Sequence, residues 1–221
     1  MTNILSRPIV LRILSAVVLV PVVLLSVYWG GFLFQALLAL LVILSVYEWI
    51  SLSSKTSSKA AMYGVGVLYI FLSFISAFVM RDVYGFAMSV IFLSALWASD
   101  IGAYFSGKMI GGAKMAPDIS PNKTWAGFIG AIVLSIIIVL ILGLFVFDPK
   151  VVQLSAFLLV VSGVVIAVSG QAGDLLVSML KRKAQAKDSG TLIPGHGGVL
   201  DRIDSLLLAT PIFLALLWVM S

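Results

Sequence analysis

The chain has 221 residues, of which 62% are hydrophobic and 10% charged, whereas a soluble domain is roughly half apolar and a quarter charged. With a mean hydropathy of +1.19, water is excluded as its main solvent. The absence of cysteine excludes disulfides and thiolate metal sites. The net charge of +5 reads as basic loops beside anionic headgroups rather than as a nucleic-acid surface.

Long unbroken apolar runs select helices over a β-barrel, because only closed hydrogen bonding survives in hydrocarbon. Windows of about 20 residues predict spans at 13–30, 32–51, 60–80, 84–103, 126–147, 151–170 and 203–220. The first run follows basic residues, as in a signal peptide. It ends in Val27-Tyr28-Trp29-Gly30-Gly31 with no small-x-small cleavage site, so it reads as an uncleaved span. Residues 171–182 continue the helical pattern but carry Asp174, which predicts a re-entrant or partly wet segment. The expected fold is therefore all-α, a polytopic membrane bundle of seven spans with broken or re-entrant helices near the cytoplasmic face. Residues 1–83 form the N-terminal spans, and residues 84–221 a catalytic membrane region with two cytoplasmic loops, 107–125 and 181–202. An N-terminus in the cytoplasm puts 12 of the 14 basic residues on that side, leaving only Arg81 and Lys150 opposite, as the positive-inside rule requires.

Candidate chemistry follows the same order. Asp100, Tyr104 and Lys108 share a helical face before a glycine-rich exit. In the first long loop, Ser120, Asn122, Lys123 and Thr124 offer donors without a carboxylate, which suits a polyphosphate. The spacing is not that of a nucleotide P-loop. Asp174 follows a long apolar run, where a carboxylate costs about 2.5–3.5 kcal/mol at mid-bilayer. It is expected to face a wet cavity, a cation or a basic partner. The second loop carries the basic residues Lys181, Arg182, Lys183 and Lys187, then a Pro194-Gly195-His196-Gly197-Gly198 turn whose amides can approach an anion. His196, the sole histidine, is as well suited to a loop hydrogen bond as to a phosphate. Asp201 and Asp204 lie three apart on one helical face. They complement a helix dipole or, with Asp174, make a hard-cation site of the kind Mg²⁺ takes. Glu48 reads as an interface marker. Intramembrane aspartates also serve ion pathways, but here the polar groups gather at one membrane face and the two halves show no repeat.

Ser178-x-x-Lys181-Arg182, Lys187-Asp188, His196-Gly197-Gly198 and Asp201-Arg202-x-Asp204 fall within the window from Ser178 to Asp204. Together they resemble the signature of the phosphatidate cytidylyltransferases (CDP-diacylglycerol synthases). Asp100-x-Gly102-Ala103-Tyr104 and Ser120-Pro121-x-Lys123-Thr124-Trp125 are similar to the same family. The resemblance covers residues 97–205 strongly and the rest only as hydrophobic spans. Ala126 departs from the pattern, since many members carry Glu or Gln there. The chain also looks short for the family, by one or two N-terminal spans.

The resemblance implies an enzyme of the bacterial inner membrane that joins CTP to phosphatidate, giving CDP-diacylglycerol and pyrophosphate. It also implies Mg²⁺ held by Asp174, Asp201 and Asp204, a second, potassium-like cation, and a homodimer. On this reading Ser120, Asn122, Lys123, Lys181 and Arg182 neutralise phosphate oxygens, and Arg202 orients the acid pair or touches phosphatidate. Asp100, Tyr104, Thr124, Ser178, Lys187, Asp188, His196, Gly197 and Gly198 complete the substrate-binding set. A cytidylyltransferase acting on another lipid phosphate would present the same nucleotide site.

Overall fold

The computed structural model describes residues 7–57, 59–152, 154–193 and 197–220. The helices are α1 (Arg7–Trp29), α2 (Gly31–Ser53), α3 (Lys59–Val83), α4 (Gly85–Met109), α5 (Trp125–Ile141), the short α6 (Pro149–Val152), α7 (Ala156–Lys183) and α8 (Leu200–Met220). A two-stranded antiparallel hairpin, β1 (Lys114–Ala116) and β2 (Ser120–Thr124), lies between α4 and α5. Among the described residues six helices, α2, α3, α4, α5 with its extension to Val146, α7 and α8, are long and apolar enough to cross a membrane. A shorter apolar stretch, Val17–Trp29, lies in α1. The protein is an integral membrane helical bundle.

Two local differences from expectation concern the loops. The segment 171–182 does not re-enter: α7 runs unbroken for 28 residues, about 42 Å at the α-helical rise. Its polar side chains find partners on neighbouring elements, so the backbone does not have to break. The first loop is shorter than expected, because residues 107–109 belong to α4, Trp125 to α5, and most of the remainder forms the hairpin.

The chain divides into two compact units, residues 1–71 with 180–203 and residues 72–179 with 204–221. The second loop therefore groups with the N-terminal helices rather than with the remainder of 84–221. In the first unit the Trp49 indole fills a slot over Gly66, where a Cβ would lie 1.7 Å from Nε1. That nitrogen donates to Met62 O at 2.9 Å. In the second unit α4 and α5 touch backbone to backbone. A Cβ on Gly102 would lie 2.3 Å from Gly130 O, and one on Gly130 would lie 2.0 Å from Ser106 Oγ. Small residues permit this close approach where lipid gives no hydrophobic drive between helices. Phe92 and Phe213, both fully buried, stack at 5.4 Å in the same unit.

Candidate active site

In the second unit the site begins where α4 ends. Gly111 (φ 68°) and Gly112 (φ 89°) take left-handed backbone that glycine adopts without strain, and the chain turns into the hairpin. Thr124 closes it: its hydroxyl accepts from Gly127 N at 3.0 Å, capping α5. The neighbouring Lys123 is thereby presented to α7. Its ammonium lies 2.8 Å from Asp174 Oδ2 and donates to Gln171 Oε1 at 2.9 Å and to Gln171 O at 3.3 Å. Gln171 Nε2 donates to Asp100 Oδ1 at 3.2 Å, and Ser178 Oγ donates to Asp174 Oδ1 at 3.1 Å. Asp100, Lys123, Asp174 and Ser178, expected from three separate stretches of sequence, thus join in one network.

Asp204 approaches by another route. A Cβ on Gly173 would lie 2.7 Å from Asp204 O and 3.1 Å from Leu208 Cβ. The bare glycine lets α7 press onto α8, one residue from Asp174. Tyr104 is exposed, with Lys108 Nζ 5.6 Å from its ring centroid. Ser120 and Asn122 sit on β2, Asn122 exposed. Ala126 lies in the first turn of α5.

In the first unit a second cluster forms around Asp201. Lys181 Nζ lies 2.7 Å from Asp201 Oδ1, and both side chains are nearly buried. Asp201 Oδ2 accepts from Ser189 N at 2.8 Å and Gly198 N at 3.0 Å, with Ser189 Oγ at 3.0 Å. Gly197 has φ 84° and sits against Asp188, whose Cβ would be 3.4 Å from a Cβ there. Ile193 N donates to Gly197 O at 2.9 Å, joining the two ends of the turn. Lys187, Arg182 and Arg202 are exposed, and Arg182 Nη1 donates to Ala186 O at 3.3 Å. His196 lies outside the described residues, as do Pro194 and Gly195.

Among the described residues no group of three or more Asp, Glu or His side chains is gathered closely enough to hold a metal ion. Of the three aspartates expected to do so, Asp174 and Asp204 come from adjoining turns of α7 and α8. Both oxygens of Asp201 are engaged by its lysine and its loop, as both oxygens of Asp174 are by Lys123 and Ser178.

Three residues in these clusters, Gln171, Glu48 and Ser189, were not singled out for the site from the sequence. Gln171, 3% exposed, bridges Lys123 to Asp100; its signal is its position three residues before Asp174, on the same helical face. Glu48 is 1% exposed rather than marking an interface. It accepts from Ser189 Oγ at 2.7 Å and from Val199 N and Leu200 N, both at 2.9 Å. Its signal is that it is the sole glutamate, set inside an apolar helix.

A model of the cytidylyltransferase family matches residues 10–81 and 53–220. The chain is 36% identical over 205 residues to a phosphatidate cytidylyltransferase of Rickettsia bellii, covering 91% of this chain and 87% of the relative. It is 36% identical over 216 residues to that of Rickettsia felis, covering 94% and 91%. It is 37% identical over 188 residues to that of Bacillus subtilis, covering 84% and 68%. With matched residues running from α1 to the end of α8 and these relatives covered over 68–91% of their length, the chain belongs to the cytidylyltransferase family.

Proposed function

We propose that the protein is a phosphatidate cytidylyltransferase, transferring CMP from CTP to phosphatidate and releasing pyrophosphate. The observation that carries this reading is the Lys123–Asp174 ion pair at 2.8 Å, which joins the hairpin motif to the α7 motif in one polar network. In the reaction a phosphatidate phosphate oxygen attacks the α-phosphorus of CTP, and the bond from that phosphorus to the β-phosphate oxygen breaks. The nucleophile is already an anion, so no strong general base is needed. The barrier lies in bringing anions together and stabilising the leaving pyrophosphate, a task for fixed positive charge.

Lys123 supplies such charge, oriented by Gln171 and Asp174. Ser120, Asn122 and Thr124 are its neighbours on β2. In the other unit Lys187, Arg182 and Arg202 are exposed for phosphate, while Lys181 acts through its pair with Asp201. The donor chemistry fits Mg²⁺, which takes one or two carboxylates plus substrate phosphates: Asp174 and Asp204 would hold it. When bound, the ion would offset charge on the CTP phosphates. Asp201, the third carboxylate expected to touch the ion, instead orders its own loop. The N-terminus and both loops face the cytoplasm of a bacterial inner membrane on this reading, as the basic residues favour, and the chain pairs with a second copy of itself.

The test supplies purified protein with Mg²⁺, labelled CTP and either phosphatidate or a polyprenyl phosphate, and identifies the labelled lipid. CDP-diacylglycerol is expected. Label found only in the polyprenyl product would move the acceptor, and no labelled lipid with either acceptor would refute the reading.

A further inference from the structure

A carboxylate inside an apolar helix is costly unless hydrogen-bonded. Glu48 lies in α2, 1% exposed, and among the described residues no Lys or Arg forms an ion pair with it. Its compensation comes entirely from the second loop and the start of α8. Ser189 Oγ lies 2.7 Å from Oε2, Val199 N 2.9 Å from Oε1 and Leu200 N 2.9 Å from Oε2.

Two glycines are shaped around it. A Cβ on Gly190 would lie 2.8 Å from Oε1, and one on Gly198 would lie 2.4 Å from Oε2 and 2.0 Å from Ser189 Oγ. Gly198 is not in the left-handed region, so what excludes a side chain there is the carboxylate and its serine rather than backbone conformation. Asp201 holds the same loop through Ser189 N and Gly198 N. Ser189 and the segment Gly198–Leu200 are thus pinned by two carboxylates, one within the family signature and one from a helix with no recognised motif. Glu48 also occupies the first amides of α8, so phosphate recognition by this loop falls to its other donors.

We propose that Glu48 is a positioning residue for the reaction: it fixes the geometry of Ser189 and of residues 198–200 and so sets the affinity for the nucleotide phosphates. The proposal rests on the reading that this loop handles CTP.

Glu48→Ala, Glu48→Asp and Glu48→Gln are made in the full chain and studied in detergent or nanodiscs. Amide hydrogen exchange is measured, together with separate kcat and KM values for CTP and phosphatidate. In Glu48→Ala, exchange at Ser189, Gly198, Val199 and Leu200 is expected to rise about tenfold or more, the equivalent of losing a single strong hydrogen bond. Exchange in α5 stays as in the unsubstituted protein. KM for CTP is expected to rise about tenfold, with KM for phosphatidate within roughly threefold. Aspartate, one methylene short, should behave like alanine. Glutamine, which keeps one acceptor oxygen, should fall between. If Glu48→Ala does not fold, Glu48→Gln decides: unchanged loop exchange together with unchanged KM for CTP overturns the proposal. Faster exchange with KM for CTP unchanged also overturns it, leaving Glu48 a purely structural group. Should the unsubstituted protein transfer no CMP, the functional reading fails, while the exchange data still decide whether Glu48 holds the loop.

Discussion

The Lys123–Asp174 pair can be tested as an interaction and as a site in one double-mutant cycle. Its side chains are 16% and 28% exposed, between the exposed limit, where ion pairs contribute about 0–1 kcal/mol, and the buried limit, where removing one partner costs about 3–5 kcal/mol. Lys123→Met also strips the donor from Gln171 Oε1 and O. Each of Lys123→Met and Asp174→Asn is therefore expected to cost about 2 kcal/mol. For a chain of this size that lowers the thermal midpoint in detergent by about 4–8 °C. The double mutant carries no unpaired charge and should recover most of the loss, giving a coupling energy of about 1–2 kcal/mol. Activity should behave differently. Incorporation of labelled CTP into lipid is expected to fall about 100-fold or more in all three variants, because the double mutant restores neutrality but not the phosphate contact. A coupling energy below about 0.5 kcal/mol would refute the pairing. Activity returning in step with stability in the double mutant would refute the catalytic reading and leave only a structural bridge.

Further predictions follow from particular contacts. Gly198→Ala places a methyl 2.0 Å from Ser189 Oγ and should cost about 1–3 kcal/mol by overpacking, with a matching loss of activity. Gly64→Ala, with nothing within 4 Å of the new Cβ, should leave the thermal midpoint unchanged or raise it, since Ala is the better helix former by about 1 kcal/mol. Thr124→Ala removes the cap on Gly127 N and should cost about 1 kcal/mol, raising KM for CTP through the adjoining Lys123, as steady-state kinetics would show. Asp204→Asn should raise the Mg²⁺ concentration needed for half-maximal turnover about tenfold or more; an unchanged Mg²⁺ titration would remove Asp204 from the metal site.

Much of the bundle was legible because hydrophobic run length is set directly by lipid thickness, and every long helix lies on a predicted run. Residues 171–182 were expected to continue the helical pattern as a re-entrant or partly wet segment. Asp174 does not interrupt α7, because Lys123 arrives from the hairpin to meet it, and no pattern within residues 171–182 contains that partner. The hairpin itself was hidden, since Lys114–Ala116 is three residues long and Ser120–Thr124 is polar with no apolar alternation. In the candidate site the residue types were readable, and their pairing was not. Lys123, Lys181 and Asp201 were each expected to meet substrate or ion, and Asp174 a wet cavity, a cation or a basic partner; in the structure the lysines meet the aspartates.

The first unit shows why an N-terminal half read only as hydrophobic spans carries part of the site. Ser189 has one hydroxyl proton, and its oxygen lies 2.7 Å from Glu48 Oε2 and 3.0 Å from Asp201 Oδ2. It can donate to only one of them at a time. The backbone amides divide without conflict: Ser189 N and Gly198 N go to Asp201, while Val199 N and Leu200 N go to Glu48. The oxygens are divided accordingly: Asp201 Oδ2 and both oxygens of Glu48 take loop backbone, while Asp201 Oδ1 takes Lys181. Only one of the two carries a lysine, so removing Lys181 and removing Glu48 are different perturbations of the same loop. The first frees a charge on Asp201 within the signature. The second leaves the α8 amides without an acceptor, and it acts from α2, more than a hundred residues earlier in the chain.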